Sequence, residues 1–344
     1  MAAKTFEYEI EDDSHYLFTC AQLKAREFEF IDRSKFERMA AANTIDSLNK
    51  IISETCYANF LNLIDRENNL DSIILEFNRQ TVIFLMNILK EGHRAAIDLL
   101  MHEEIIHNYK VIFKSLILKK NLSSLYIPLF YSYENLVNSV NNRDSMDIDG
   151  STRLILDEMN SIKGMNLNFQ DMEIRLEKFY VELLYTEIEK LKSKMILEFI
   201  RHFIDIFNIK NTVRVKHINT RINFSDFLID KGFLPVELLR KYESENIENL
   251  VQELKNTDYY IIIEHGLRNL LNRNSFFSFD KNEYGFYLNF LDDVKYTVAN
   301  LEKIFSFFMR KKIELKIMNM IYLGVLYGIE KSKLSHKAGI IGES

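Results

Sequence analysis

The 344-residue sequence holds 2 prolines, 10 glycines and no tryptophan, where average usage gives roughly 17 prolines and 24 glycines. β-Sandwiches, barrels and glycine-rich nucleotide folds need turn residues in number, because hairpins and phosphate loops demand φ > 0, and no glycine here is followed by lysine, which excludes a GxxxxGK[ST] loop. The formal charge of −6 speaks against a nucleic-acid partner, and 47% hydrophobic with 27% charged residues describes a folded chain that is expected to be all-α.

In chain order, the acidic start Met1 to Ser14 is unlike a signal peptide. Asp12, Asp13 and Ser14 stand ready to cap an apolar-periodic run from Tyr16 to Phe30. Ser34-Lys35-Phe36-Glu37 reads as a capping box opening the next helix. Stretches free of Gly and Pro run from Asp71 to Glu91, Asp171 to His202 and Phe286 to Ile321, each far longer than a strand. The short β-rich runs Thr212 to Val215 and Tyr259 to Ile263 are read as helix. Apolar stretches such as Ile321 to Ile329 are about half the ~20 residues of a bilayer span, so no direct membrane span is expected. Cys20 and Cys56 give neither a ligand pattern nor a disulfide framework, which fits a reducing cytoplasm.

Pro128 and Pro235 each follow a polar break and precede a new helical pattern. They divide the chain into three candidate units, 1–125, 126–232 and 233–344. Internal echoes support related units. Glu134-Asn135-Leu136-Val137-Asn138 matches Glu248-Asn249-Leu250-Val251-Gln252, and Ile45-Asp46-Ser47-Leu48 with Thr55 and Tyr57 matches Ile247-Glu248-Asn249-Leu250 with Thr257 and Tyr259. Leu75-Glu76, Leu176-Glu177 and Ile263-Glu264 recur once per unit, and Asn108 to Lys114 matches Asn208 to Arg214. The polar stretch from Asn141 to Gly150 lengthens the middle unit and is expected to be an exposed, mobile loop.

No catalytic constellation stands out. His102 and His107 are five apart and point ~140° apart on a helix. Glu104 and His107 match one Glu-x-x-His half-site of a di-metal bundle, but no second such motif occurs, and two ordinary helix-surface histidines are the simpler reading. There is no GxSxG elbow. Asp12-Asp13 is read as a cap, Asp292-Asp293 as no metal box, Phe305 to Met309 as core, and Gly324 with Gly328 as close packing or helix termination. The recurring Asn-x-Lys element differs. Lys110 and Lys114, and likewise Lys210 and Arg214, share a helix face. Either the asparagines satisfy backbone beside solvated basic pairs, or these faces line a polar hollow.

These residues resemble a known family, the C subunit of V/A-type ATP synthases, whose eukaryotic counterpart is the d subunit of vacuolar ATPases. Tyr16 to Glu27 is similar to the family's opening Tyr and Ala-Arg pattern, followed by Phe36-Glu37-Arg38-Met39 and Glu54-Thr55-Cys56-Tyr57. Asp205-Ile206-Phe207-Asn208-Ile209-Lys210 resembles its acidic-x-x-Asn-Leu-basic element. Glu314 to Ile321, with Gly324, Gly328 and Ile329, looks like its terminal segment. Gln22, Ile317 and Asn319 depart from the pattern, at places where the family has Arg, Asn and Arg. The resemblance implies three similar helical domains in a pseudo-threefold, funnel-like arrangement. It further implies a non-catalytic rotor part, one copy per complex, on the membrane's proteolipid ring and under the central-shaft subunits of D and F type. Such a part is cytoplasmic and peripheral on the membrane, and requires no cofactor and no bound metal. A generic all-α adaptor, or a di-metal carboxylate helical enzyme binding metal through Glu104 and His107, is the competing expectation. Asn108, Lys110, Lys114, Asn208, Lys210, Arg214, Glu314 and Lys316 are the candidate interface residues toward other parts of the complex.

Overall fold

A computed structural model describes residues 10–63, 70–141, 148–165, 167–218 and 223–329. Most of the polar stretch expected to be a mobile loop, 142–147, lies outside the described residues. Those residues form fifteen α-helices and no strand. They are α1 (Leu17–Ala25), α2 (Arg33–Ala41), α3 (Ile45–Ile52), α4 (Asp71–Ile88), α5 (Arg94–Leu100), α6 (His102–Leu118), α7 (Tyr133–Asn141), α8 (Gly150–Lys163), α9 (Phe169–Lys190), α10 (Lys194–Ile218), α11 (Val236–Arg240), α12 (Asn249–Glu253), α13 (Tyr260–Arg273), α14 (Phe277–Asp292) and α15 (Leu301–Leu326). The all-α expectation holds, and both β-rich runs fall in helical segments, α10 and the start of α13.

Helix ends show how a glycine-poor chain stops its helices. Lys119 and Asn274 close α6 and α13 at φ of 52° and 49°, and Lys192 separates α9 from α10 at φ 58°. Glycine would adopt this left-handed conformation without strain; a lysine does so at a cost of roughly 1–2 kcal/mol. At the N-termini, Asp13 caps the short 3-10 turn before α1, as its position suggested. The predicted capping box at Ser34 does not form. Asp32 comes first, its carboxylate accepts from the Lys35 N–H at 2.8 Å, and Glu37 is drawn to Arg33 one turn back. A box does form one helix later, where Thr44 and Ser47 satisfy each other's backbone N–H.

The chain divides by contact into two compact units, Met1–Leu89 with Asp280–Ser344, and Lys90–Phe279. In the first, α15 is the hub against which α1, α2, α3 and α4 pack. Its Phe305, Phe307, Phe308 and Met309 are all buried, as the core reading required. In the second, α9 is the hub, contacting α5, α6, α8 and α10. Compactness and internal similarity are separate properties of a chain, and the equivalent residues within these units bear on the second.

Candidate functional site

Asp205 is fully buried at the middle of α10. Its carboxylate accepts from the backbone N–H of Phe233 (2.9 Å) and Leu234 (3.1 Å) and from the Tyr259 hydroxyl (2.6 Å). One turn earlier, Arg201 donates to the Gly232 carbonyl at 3.0 Å and lies 4.0 Å from the Phe233 ring centroid. Burial pushes the Asp205 carboxyl up, and the three donors partly oppose it. Gly232 is required here. A Cβ at that position would collide with the Asp205 carboxylate.

The first unit repeats the arrangement. Glu314, 3% exposed on α15, accepts from the Ile31 N–H (2.6 Å) and the Tyr57 hydroxyl (2.6 Å). The cation is Lys311, which bonds the Glu29 carbonyl (2.8 Å) and Glu314 (2.8 Å) and sits 4.4 Å from the Phe30 ring centroid. In both units a helix acid holds the N–H after a phenylalanine, a helix cation holds the carbonyl before it, and a tyrosine closes the set. The preceding turns match as well. The Thr55 hydroxyl donates to the Ile52 carbonyl and accepts from the Tyr57 N–H, as Thr257 does with Leu254 and Tyr259.

The recurring asparagines are a second matched pair. Asn108 donates to the Ile127 carbonyl (2.6 Å) and accepts from its N–H (2.8 Å), and Asn208 does the same with Ile229 (2.9 and 3.0 Å). Each clamps both main-chain groups of one residue in the segment that follows its helix. Sequence reasoning recognised that these positions recur but could not see what they grip, because the gripped groups are backbone.

The basic candidates lie outside these clamps. Lys110 pairs with Glu177 at 2.6 Å, and Lys114 lies 5.1 Å from the Phe169 ring centroid, so that stripe of α6 runs along α9. Arg214 is exposed, held by Asn211 at 3.1 Å and 5.4 Å from the Phe276 ring centroid. Lys110 and Arg214 meet across a cavity of ≈ 170 Å³ that Glu173, Glu177, Phe207 and Asn211 also line, while Lys114 and Lys210 are not among its walls. Lys210 is half-buried on α10. Lys316 is half-buried, 5.6 Å from the Tyr284 ring centroid. Glu314 is an interior residue, as are Asn108 and Asn208.

A smaller cavity of ≈ 50 Å³ is lined by Arg94, Asp98, Tyr109, Tyr131 and Asp149 among others. Arg94 stacks on Phe130 at 3.8 Å and reaches Asp98 at 3.4 Å. Burial pushes the Asp98 carboxyl up to about 6, with Arg94 opposing. Nothing in the spacing of Arg94 and Asp98 distinguished them from an ordinary helical i,i+4 pair. Of the histidines considered as ligands, His107 Nε2 bonds the Leu125 carbonyl (2.8 Å), and His102 Nδ1 bonds the Leu99 carbonyl (2.9 Å).

A family profile described as ATP synthase (C/AC39) subunit matches residues 19–337. The chain belongs to that family. Among its relatives, the C subunit of a V-type sodium ATPase from Enterococcus hirae is 25% identical over 239 residues, covering 69% of this chain and 72% of the relative. The C subunit of an A-type ATP synthase from Methanocaldococcus jannaschii is 26% identical over 190 residues, 55% of this chain and 47% of the relative. Its counterpart from Methanococcoides burtonii is 26% identical over 203 residues, 56% and 55%. The resemblance drawn from Tyr16 to Glu27, from Asp205 to Lys210 and from Glu314 to Ile321 is therefore correct at the level of the family. In this C/AC39 chain, three of the quoted motifs supply clamp residues: Asp205 with Asn208 from one, and Glu314 and Tyr57 from two others. No described helix is long and apolar enough to cross a membrane.

Proposed function

We propose that this chain is the non-catalytic central-rotor part of a V/A-type ATPase or ATP synthase. It rests on the membrane's proteolipid ring, receives the D- and F-type shaft subunits, passes torque between them and is present once per complex. The observation that carries this reading is the family match over residues 19–337. The clamps fit the role, since each fixes a long helix to the segment it must move with, and torque transmission requires that packed helices not open locally. We keep three related helical units over the spans 1–125, 126–232 and 233–344 on the recurring sequence echoes; the clamps at Asn108, Asp205 and Glu314 each tie a helix of one span to a segment of another. We assign the basic faces of Lys110 with Lys114 and of Lys210 with Arg214 to acidic residues of the shaft.

Affinity purification from native membranes tests the first part. Proteolipid and catalytic subunits should co-isolate with the chain, and their absence would leave only a helical scaffold. Joint reversal of Lys110 and Lys210 to Glu tests the second. It should weaken capture of the shaft beyond what Glu177→Gln does, a variant that breaks the internal Lys110–Glu177 pair alone. Undiminished capture would refute the assignment.

A further inference from the structure

The ≈ 170 Å³ cavity between α6, α9 and α10 has walls of opposite sign. α9 presents Gln170, Glu173 and Glu177 to it, at i, i+3 and i+7 and so on one helix face. α10 presents Asn211 and Arg214, and α6 adds Lys110. These charges are only partly used within the chain. Glu177 and Lys110 neutralise each other at 2.6 Å. Arg214 is exposed and bonds only the neutral Asn211 amide oxygen, at 3.1 Å, beside the Phe276 ring. Glu173 is half-buried, and its carboxylate has neither a hydrogen-bond nor an ion-pair partner among the described residues. One cation and one anion thus face the same space without neutralising each other.

Water solvates both groups while the cavity is open. A partner that closes it removes that water, and a charge desolvated without a counter-charge costs more than its contacts return. A purely acidic partner surface satisfies Arg214 and sets like charge against Glu173; a purely basic one does the reverse. The space holds on the order of ten water-sized atoms. That admits the ends of two side chains and not a helix. We infer that the shaft segment docking at this cavity carries a basic side chain beside its acidic one, the acid meeting Arg214 and the base meeting Glu173. Glu173 then sets the register in which the shaft seats. This inference rests on the rotor reading and adds to it a second, opposite charge on the partner.

Surface plasmon resonance of the full chain on immobilised D- and F-type shaft subunits tests it. Glu173→Gln breaks no side-chain bond within the chain and should weaken binding by about threefold or more. Exchanging the two charges, Glu173→Arg with Arg214→Glu, keeps the formal charge at −6 and should weaken binding by about tenfold or more, because each partner charge then meets its own sign. Glu173→Gln that binds as tightly as the parent or more tightly, the result an all-acidic shaft surface gives, would overturn the inference and leave the rotor reading standing. So would an exchange variant that binds like the parent. A parent chain that does not bind the shaft overturns both. The Glu173→Gln measurement decides the matter even if the exchange variant fails to fold.

Discussion

Asn108 and Asn208 make the same two hydrogen bonds, so they offer a controlled comparison of what burial does to an identical interaction. Replacing either with leucine keeps the branched shape and the number of side-chain heavy atoms and removes both bonds. At Asn208 the clamped residue Ile229 is 0% exposed and both bonds are buried. Its N–H and C=O would be orphaned at about 1–3 kcal/mol each, giving a loss of about 3–5 kcal/mol for Asn208→Leu. At Asn108 the clamped Ile127 is only half-buried, so water takes over the freed groups. The loss there is two net hydrogen bonds, about 1–2 kcal/mol. Bond lengths alone argue the other way, since the Asn108 bonds are the shorter ones at 2.6 and 2.8 Å. A few tenths of an ångström matters less than whether water can replace the partner. Both residues lie in the same compact unit, so urea unfolding followed by far-UV circular dichroism, at unchanged m, reads both losses on one transition. Equal losses, or a larger loss at Asn108, would refute the argument.

Glu314→Gln should cost about 3–5 kcal/mol, because it leaves Lys311 charged and 1% exposed; adding Lys311→Met should recover part of that, which a double-mutant cycle by denaturant unfolding measures. Gly232→Ala should destabilise by about 2–4 kcal/mol, since the new methyl displaces the Asp205 carboxylate from its two N–H donors; slowed hydrogen exchange at Phe233 and Leu234 equal to the parent's would contradict this. Asp98 gives a pH signature. Its folded pKa, about 6, lies above the unfolded value, so the folded state binds the extra proton, and stability falls as pH rises from about 4 to about 6. Two pH units set a ceiling of about 3 kcal/mol, and a side chain still one-quarter exposed brings the expectation to about 1–2 kcal/mol. Asp98→Asn should therefore flatten the melting-temperature profile over that window and gain most at neutral pH.

The helical class was legible because depletion of Gly and Pro acts on every element at once. Helix starts were less so. Ser34 and Glu37 satisfy a motif, yet Asp32 pre-empts it, because the choice between two caps depends on where the backbone first turns helical. The breaks at Lys192 and between α14 and α15 had no glycine or proline to announce them. At the candidate site, the recurrence of Asn108 and Asn208, and of Tyr57 and Tyr259, was visible as spacing. Their partners were not, since a main-chain N–H or C=O leaves no trace in residue identity. Glu314 entered as an interface residue through the motif around it, and lies inside because its charge is taken up by Lys311, Ile31 and Tyr57.

The distribution of the clamps explains why the echoes at Asn108 and Asn208 and at Tyr57 and Tyr259 came in pairs. α10 carries both devices, the acid at Asp205 and the asparagine at Asn208, three residues apart on one face. α6 keeps only the asparagine: one hundred residues earlier the acid position is Ile105, and its neighbour Glu104 is buried. α15 keeps only the acid, Glu314, with Ile317 three residues on, fully buried where the asparagine would stand. A comparison of α6 with α10 therefore sees asparagines, and a comparison of α10 with α15 sees acids and tyrosines, while α6 and α15 share neither. If the three are descendants of one unit, α10 is the form from which either of the others follows by a single loss. The cost of each loss is then offset locally by apolar side chains, the buried Ile105 where α6 lacks the acid and the buried Ile317 where α15 lacks the asparagine. Restoring asparagine at Ile317 should fail to stabilise the chain, because the packing now there has no peptide positioned to be gripped. A gain in stability from Ile317→Asn would mean that a vacant clamp persists in α15, and would count against this account of the repeats.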